Sequence, residues 1–159
     1  MAEKINKYIF NSAYWLTAFF AFLFFIMVCL NVFTRYVLKS PILASIELSR
    51  IFFVWACFFA AGITFHRRGH IAISFITDLM PVVLQRWIGL IIESLTLVFI
   101  AGILIWSAEV VIRIWHSEFP ILGISQSWLY VPLTIVSSFM LFSSLEKIFV
   151  LVRTFRKKV

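Results

Sequence analysis

Hydrophobic residues fill four long stretches of the chain, and charged or strongly polar residues separate these stretches. A helix needs about 20 predominantly apolar residues to cross the hydrocarbon core of a bilayer. The stretches at about residues 11–36, 43–66, 86–114 and 125–150 all reach that length. The pattern therefore predicts an all-α integral membrane protein with four transmembrane helices.

The first two predicted helices carry boundary signals at their ends. No charged residue occurs between Lys7 and Arg35. Trp15 and Tyr36 would stand about 30 Å apart along one helix, which suits two aromatic anchors at opposite membrane interfaces. Pro41 fits the start of the second helix, because the N–H that proline lacks has no helical partner in the first turn.

The fourth stretch contains a proline well inside the predicted helix. We expect this helix to begin near Ser125, so Pro132 would fall in its interior. Membrane helices tolerate internal proline when neighbouring groups satisfy the freed carbonyl. The sequence therefore predicts a kink at this position.

The connection between the second and third stretches has its own periodicity. Ile71, Phe75, Leu79 and Val83 recur every four residues, and Pro81 interrupts the run. An apolar face on an otherwise polar segment is typical of a helix that lies in the membrane interface. We predict a short interfacial helix here, and a plain structured loop is the alternative.

Composition supports the membrane interpretation. The 159 residues are 63% hydrophobic and 13% charged, whereas soluble domains are about 45–50% apolar and 25% charged. No repeat or Gly/Ser linker divides the chain, so we predict one four-helix membrane domain over residues 1–159. Cys29 and Cys57 lie in apolar runs without CxxC spacing, and we expect them to be small core residues.

The net charge of +7 could indicate a nucleic-acid partner, but the basic residues lie between and beyond the apolar stretches. Four spans place both termini and the middle connection on one side of the membrane. That side would hold Lys4, Lys7, Arg67, Arg68, Arg86, Lys147, Arg153, Arg156, Lys157 and Lys158, and the other side Arg35, Lys39, Arg50 and Arg113. The excess of basic residues on the first side predicts that both termini are cytoplasmic. Because the basic residues lie between and beyond the apolar stretches, we predict no nucleic-acid partner.

Six of these basic residues are candidates for topology signals and for contacts with anionic lipid headgroups. Basic residues next to membrane helices are attracted to the anionic surface of the cytoplasmic leaflet. The candidates are Arg67, Arg68, Arg86, Arg156, Lys157 and Lys158.

Ionisable residues inside the spans are candidates for function, because burying a charge in a membrane is costly. Glu47 and Arg50 share a helix face and could pair with each other, or each could face a partner helix in a larger assembly. Glu109 and Arg113 have the spacing of a helix-surface ion pair. Glu93 could be an ion or proton site, or it could lie at the interface.

The sequence contains no recognisable catalytic set. His66 and His70 have the spacing of two metal ligands on a helix, but Gly69 lies between them and no third ligand is near. We find no Ser/His/Asp or Cys/His arrangement and no glycine-rich phosphate loop. The sequence therefore predicts neither an enzyme nor a bound metal, haem or other cofactor.

An ordered set of motifs runs along nearly the whole chain and matches a known family. The set comprises Arg35-Tyr36, Glu47, Arg50, Phe53-Val54-Trp55, Gly62, Arg68-Gly69-His70-Ile71, Asp78-Leu79-Met80-Pro81, Gly123-Ile124-Ser125, Trp128, Tyr130 and Pro132. With four spans, this order resembles the small, DctQ-like membrane subunit of tripartite ATP-independent periplasmic (TRAP) transporters. Ile46 and Ser74 stand where many members carry acidic residues.

The resemblance implies a small permease subunit of a sodium-coupled importer in the bacterial inner membrane. A large multi-span subunit would hold the substrate and sodium sites and move by an elevator mechanism. A periplasmic substrate-binding protein would deliver sialic acid, a C4-dicarboxylate or another sugar acid. The small subunit would pack against the static scaffold of the large subunit and enlarge it, without binding substrate.

The resemblance also suggests which residues contact the large subunit. These are Glu47, Arg50, Arg35, Tyr36, Trp55 and Gly62. Glu47 and Arg50 would fix register at the periplasmic edge, because lipid provides no hydrophobic driving force between helices. Two alternatives stay open: a stand-alone small multispan exporter and a lipid-organising membrane assembly protein.

Overall fold

The computed structural model describes residues 2–68 and 82–156. Four long helices account for most of these residues: α1 (Ala2–Tyr36), α2 (Leu43–Arg68), α3 (Val82–Arg113) and α4 (Val131–Arg156). A short 3-10 helix, Gln126–Leu129, precedes α4. Within the described ranges there is no β-strand, so the all-α prediction is confirmed for them.

Each long helix contains an apolar segment of membrane-spanning length: Asn11–Tyr36, Leu43–Phe65, Trp87–Arg113 and Val131–Phe149. The first three agree with the predicted spans to within a residue at either end. The agreement follows from the bilayer itself, because only a helix satisfies every backbone hydrogen bond in a single lipid-exposed segment.

The start of the fourth span differs from the prediction. The helix begins at Val131 rather than near Ser125, because the Ser125 side chain caps the 3-10 helix by accepting a hydrogen bond from the Ser127 N–H. Pro132 is therefore the second residue of α4 and is fully buried. A proline in the first turn removes no intrahelical hydrogen bond, so the prediction of an internal proline kink is wrong.

The helices pack as an open row rather than a closed bundle. α1 packs on α2, α2 packs on α4, and α4 packs on α3, while α1 and α3 make no comparable contact among the described residues. We call the side with residues 37–42 and 114–130 the turn side, and the opposite side the terminal side. Because interior helices have neighbours on only two flanks, both faces of the row stay exposed.

Small polar residues bring α3 and α4 together. Thr134 on α4 donates a hydrogen bond to the Ser107 hydroxyl on α3 over 3.1 Å. Ser137 is buried and donates back to the Leu133 carbonyl at 2.7 Å. Small residues let membrane helices approach closely, and their hydroxyls supply interhelical hydrogen bonds.

Several predictions have a different outcome or fall outside the described residues. Cys29 and Cys57 are exposed on the helix surfaces, so the expectation that they are core residues is wrong. An open row leaves much of each helix uncovered. The predicted interfacial helix lies within residues 70–87; residues 70–81 lie outside the described residues, and from Val82 onward the segment belongs to α3. Cytoplasmic placement of the termini stays a prediction.

Candidate functional site

The loop between α3 and the 3-10 helix has a defined hydrogen-bonded structure. The Phe119 N–H donates to the Ile124 carbonyl at 2.8 Å, and the Gln126 N–H donates to the Ser117 carbonyl at 2.7 Å. Gly123 closes the turn with φ +63, a backbone conformation that glycine adopts without steric cost. The loop is therefore a compact hairpin on the turn side.

Glu47, in the second turn of α2, holds the tip of this hairpin. The backbone N–H of Leu122 donates to its Oε2 at 2.9 Å, and the N–H of Ile121 donates to its Oε1 at 3.3 Å. Hydrogen bonds to an ionised acceptor are about twice as strong as neutral ones. Glu47 therefore fastens α2 to a loop more than 70 residues later in the chain.

Arg50 has a different environment from Glu47. Its side chain is exposed, and it forms no ion pair with Glu47 within the part of the chain that the structure describes. An ion pair is present on α3, where Arg113 donates to Glu109 at 2.5 Å with both side chains exposed. The predicted helix-surface pair is thus confirmed.

Trp55 joins three elements in the middle of the row. Its indole Nε1–H donates to the Trp128 carbonyl at 2.8 Å, and the two rings stack with centroids 6.1 Å apart. On the other flank its ring lies 4.9 Å from that of Phe20 on α1. Trp55 thus connects α2 to both α1 and the 3-10 helix.

We expect Trp55→Phe to destabilise the chain by about 1–2 kcal/mol, because the Trp128 carbonyl loses its donor while an aromatic ring is retained. Trp55→Ala should cost more, about 3–5 kcal/mol, since the ring contacts are also lost. Thermal unfolding in mild detergent would measure both. Equal stability of Trp55→Phe and wild type would contradict a contribution from the hydrogen bond.

Ser127 anchors the 3-10 helix to the end of α3. It is fully buried, with an exposed fraction of 0%, and its hydroxyl donates to the Val111 carbonyl at 2.8 Å. This bond satisfies one of the carbonyls that every helix end leaves without an intrahelical partner. Together with Glu47 and Trp55, it makes the turn side a hydrogen-bonded assembly.

Gly62 marks the closest approach of α2 and α4. A Cβ added at this position would lie 2.8 Å from Cγ1 of Val136, and Val136 is itself buried. Val is stiff about χ1, so this neighbour has little freedom to move away. Gly62 is therefore required for the packing of the two central helices.

An apolar groove of about 250 Å³ lies beside Gly62, where α1, α2 and α4 meet. Its lining consists of Ser12, Ala13, Leu16, Phe59, Gly62, Ile63, Ile135, Val136 and Phe139. No charged side chain lines the groove, and Ser12 is its one polar residue. It offers no group suited to an organic acid or a sodium ion, both of which need charged or convergent polar ligands.

Arg35 and Tyr36 lie at the turn-side end of α1. Tyr36 is 72% exposed, and the Arg35 guanidinium lies 5.8 Å from the centroid of its ring, within range for a cation–π interaction. These two residues and Arg50 present polar groups on the outside of the row. Trp55 and Gly62 instead have contacts within the chain, and contact of any of these residues with another subunit stays a prediction.

Four of the predicted lipid-contacting residues lie near the helix ends on the terminal side. Arg67 and Arg68 end α2, Arg86 is in the second turn of α3, and Arg156 ends α4. Lys157 and Lys158 lie outside the described residues, and their contribution stays a prediction.

Glu93 is an ionisable residue that the structure buries in the row. It is 6% exposed, and the Ser144 hydroxyl donates to its Oε1 at 2.8 Å. The sequence left open whether Glu93 is an ion or proton site or lies at the membrane interface. Nothing near it in sequence indicated Ser144, which is 51 residues away.

The described residues contain no candidate metal-binding cluster. No group of three His, Cys, Asp or Glu side chains lies close enough together there to hold a metal ion. His116 is exposed on the turn-side loop, and His70 lies outside the described ranges. The organised feature is instead the turn-side assembly around Glu47, Trp55 and Ser127.

Comparisons with known proteins agree on one kind of protein. Residues 24–154 match the family model for the DctQ component of tripartite ATP-independent periplasmic transporters. The chain is 35% identical over 120 residues to the sialic acid TRAP transporter small permease protein SiaQ of Vibrio cholerae serotype O1, covering 76% of this chain and 69% of that protein. It is 26% identical over 144 residues to the sialic acid TRAP transporter permease protein SiaT of Haemophilus influenzae, covering 88% of this chain and 23% of that protein.

Proposed function

The chain belongs to the DctQ component family of TRAP transporters, and we propose that it works as a static scaffold for a larger, moving subunit. It is a small permease subunit and a multi-pass protein of the bacterial inner membrane. The proposed scaffold packs against the large multi-span subunit and widens it, while that subunit performs an elevator movement.

The observation that carries this proposal is the open row of helices. Among the described residues, three helix pairs hold the row together, and large apolar side chains stay exposed along it, including Phe22 at 62%, Phe99 at 68% and Phe142 at 65%. A row without a closed interior has no lumen through which a polar solute could pass. Extensive apolar faces suit a plate that lies between lipid and another membrane protein.

The longer relative supports a large membrane partner. The matched region is 23% of the Haemophilus influenzae permease, so that permease is more than four times as long as the region that corresponds to this chain. A unit that is joined covalently to a larger permease in one organism is expected to bind such a permease in another. We further propose that a periplasmic substrate-binding protein delivers the substrate.

The proposed substrate is an organic acid. Both relatives are named as sialic acid TRAP transporter proteins, which supports sialic acid ahead of a C4-dicarboxylate or another sugar acid. Sodium coupling is part of the proposal, with the substrate and sodium sites on the large subunit. The lack of charge in the groove beside Gly62 supports placing both sites outside this chain, which then needs no cofactor and catalyses no reaction.

Anionic phospholipids are the other proposed partners. The basic residues at the terminal-side helix ends are Arg67, Arg68, Arg86 and Arg156, followed by Lys157 and Lys158. If the terminal side is cytoplasmic, as the distribution of basic residues favours, these residues face the anionic leaflet. The same contacts would orient the scaffold in the bilayer.

We expect a tagged chain purified in mild detergent to carry a stoichiometric large hydrophobic subunit, identified by mass spectrometry. Arg50→Ala should reduce recovery of that subunit at least several-fold while the melting temperature of the chain stays unchanged, because Arg50 is exposed and makes no hydrogen bond or ion pair among the described residues. Arg113→Ala is the matched control, since that arginine is exposed on the same side but paired with Glu109.

Two outcomes would contradict the proposal. Wild-type recovery of the large subunit with Arg50→Ala would remove Arg50 from the interface. Isolation of the chain alone, as a stable homodimer that binds lipophilic cations, would instead favour the stand-alone exporter.

A further inference from the structure

Lys147 on α4 has a buried ammonium group that no hydrogen-bond acceptor among the described residues reaches. The ammonium lies 4.9 Å from the centroid of the Phe65 ring on α2. A cation–π contact attracts the charge, but it does not satisfy the three N–H donors of an ammonium group. Buried polar groups in native proteins nearly always have partners, protein or water, so Lys147 requires a further one.

The Glu93 carboxylate on α3 has fewer hydrogen-bond donors among the described residues than it can accept. Its carboxylate is buried at 6% exposure and accepts one described hydrogen bond, from the Ser144 hydroxyl at 2.8 Å. An ionised carboxylate offers about four acceptor positions. Among the described residues, this single hydroxyl donor leaves most of the acceptor capacity of Glu93 unused, in a segment where isolated charges are costly.

Helix spacing places the two charges at similar depth in the row. Lys147 follows Ser144 by three residues, so both project from neighbouring positions on α4. Side chains on a helix lean toward its N-terminus, which brings the ammonium of Lys147 back toward the level of Ser144. Ser144 contacts Glu93 directly, yet Glu93 and Lys147 form no direct ion pair among the described residues.

We propose that Glu93, Ser144 and Lys147 form one charge-neutral polar site that binds ordered water between α2, α3 and α4. The water accepts a hydrogen bond from the Lys147 ammonium and donates to the Glu93 carboxylate. A buried water of this kind needs two to four polar partners, and these three side chains supply them. The site joins all three helices near the terminal side.

A double-mutant cycle in the full chain, purified in mild detergent with any subunit that accompanies it, tests the coupling. Glu93→Gln and Lys147→Met keep the size of each side chain and remove its charge. Each single substitution should lower the melting temperature by about 5–10 °C, because it leaves the other charge buried and unpaired. The double variant should lose clearly less than the sum of the two.

The exposed pair on α3 is the matched control. Glu109→Gln and Arg113→Met should each shift the melting temperature by no more than about 2 °C, since exposed ion pairs contribute little. Additive losses at Glu93 and Lys147, or single variants that melt like wild type, would overturn the proposal. If neither single variant folds, recovery of the folded double variant supports the coupling, and its failure to fold contradicts it.

The water itself has a separate test. A cryo-electron microscopy map of the complex that shows ordered water should place a water within hydrogen-bond distance of both the Glu93 carboxylate and the Lys147 ammonium. A direct ion pair with no water between the charges would overturn this part of the proposal. If the proposal is right, Ser144→Ala should also lower the stability of the chain, because the Glu93 carboxylate loses its protein hydrogen-bond donor.

Discussion

We expect Glu47→Ala to lower the melting temperature of the purified chain by about 5–12 °C, which corresponds to a loss of about 2–4 kcal/mol. The Glu47 carboxylate accepts the backbone N–H groups of Leu122 and Ile121, and alanine provides no acceptor for either. The turn-side hairpin would then lose its attachment to α2. Thermal unfolding in mild detergent measures the loss, and hydrogen exchange at residues 121 and 122 localises it.

Two further variants distinguish the effect of the Glu47 carboxylate on stability from the effect of its surroundings. Glu47→Gln retains one acceptor oxygen without the negative charge, so its stability should fall between those of wild type and Glu47→Ala. Arg50→Ala should melt like wild type, because Arg50 is exposed on the same helix and has no described partner in the chain. Wild-type melting of Glu47→Ala would show that the loop does not depend on this carboxylate.

Glu47 and Arg50 should also differ in the assembled transporter. Loss of Glu47 should reduce complex yield and uptake through instability of the chain itself. Loss of Arg50 should reduce them through the interface, with the chain intact. Normal complex yield and uptake in both single variants would contradict a role of this region in assembly.

We expect Gly62→Leu to prevent normal packing of α2 against α4. The free energy of unfolding should fall by about 3 kcal/mol or more. Even the Cβ of an alanine would lie 2.8 Å from Cγ1 of Val136, so Gly62→Ala should cost about 1–3 kcal/mol by overpacking. The measurements are the melting temperature of the chain and the amount of monodisperse protein recovered by gel filtration.

Gly102 provides a control for the Gly62 substitution, and Val136 provides a compensating one. Gly102→Ala adds a methyl group where nothing lies within 4 Å, and it should be neutral or slightly stabilising because alanine favours helix. Val136→Ala removes the methyl groups that Gly62→Ala would meet, so the double variant should recover part of the loss. A Gly62→Ala chain as stable as Gly102→Ala would contradict the close approach.

The sequence was a reliable guide wherever the property was local. The spans are local because a bilayer requires a minimum length of apolar helix, and the structure places them at Asn11–Tyr36, Leu43–Phe65, Trp87–Arg113 and Val131–Phe149. The Glu109–Arg113 pair is local because residues four apart in a helix are neighbours. The family resemblance rested on a string of short motifs, and the family comparison confirmed it.

The sequence was a poor guide wherever a residue's partner lay far along the chain. Glu47 reaches residues 121 and 122, Trp55 reaches Trp128, and Glu93 reaches Ser144. None of these distant partners is encoded by spacing within one helix. The early expectation for Pro132 failed for a related reason, since the capping of the 3-10 helix by Ser125 decided where α4 begins.

The sequence by itself determined that the chain is a four-helix membrane protein of a recognisable transporter family, because hydrophobic length and motif order are properties of single segments. Only the tertiary structure decided that the helices form an open row, that Glu47 holds the turn-side hairpin and that Glu93 is buried. Those features depend on which helix faces overlap, and side chains such as Gly62 and Val136 determine that overlap through their contact. The physical reason is that lipid is as apolar as the helix surfaces, so close packing and hydrogen bonds, rather than hydrophobicity, select the neighbours.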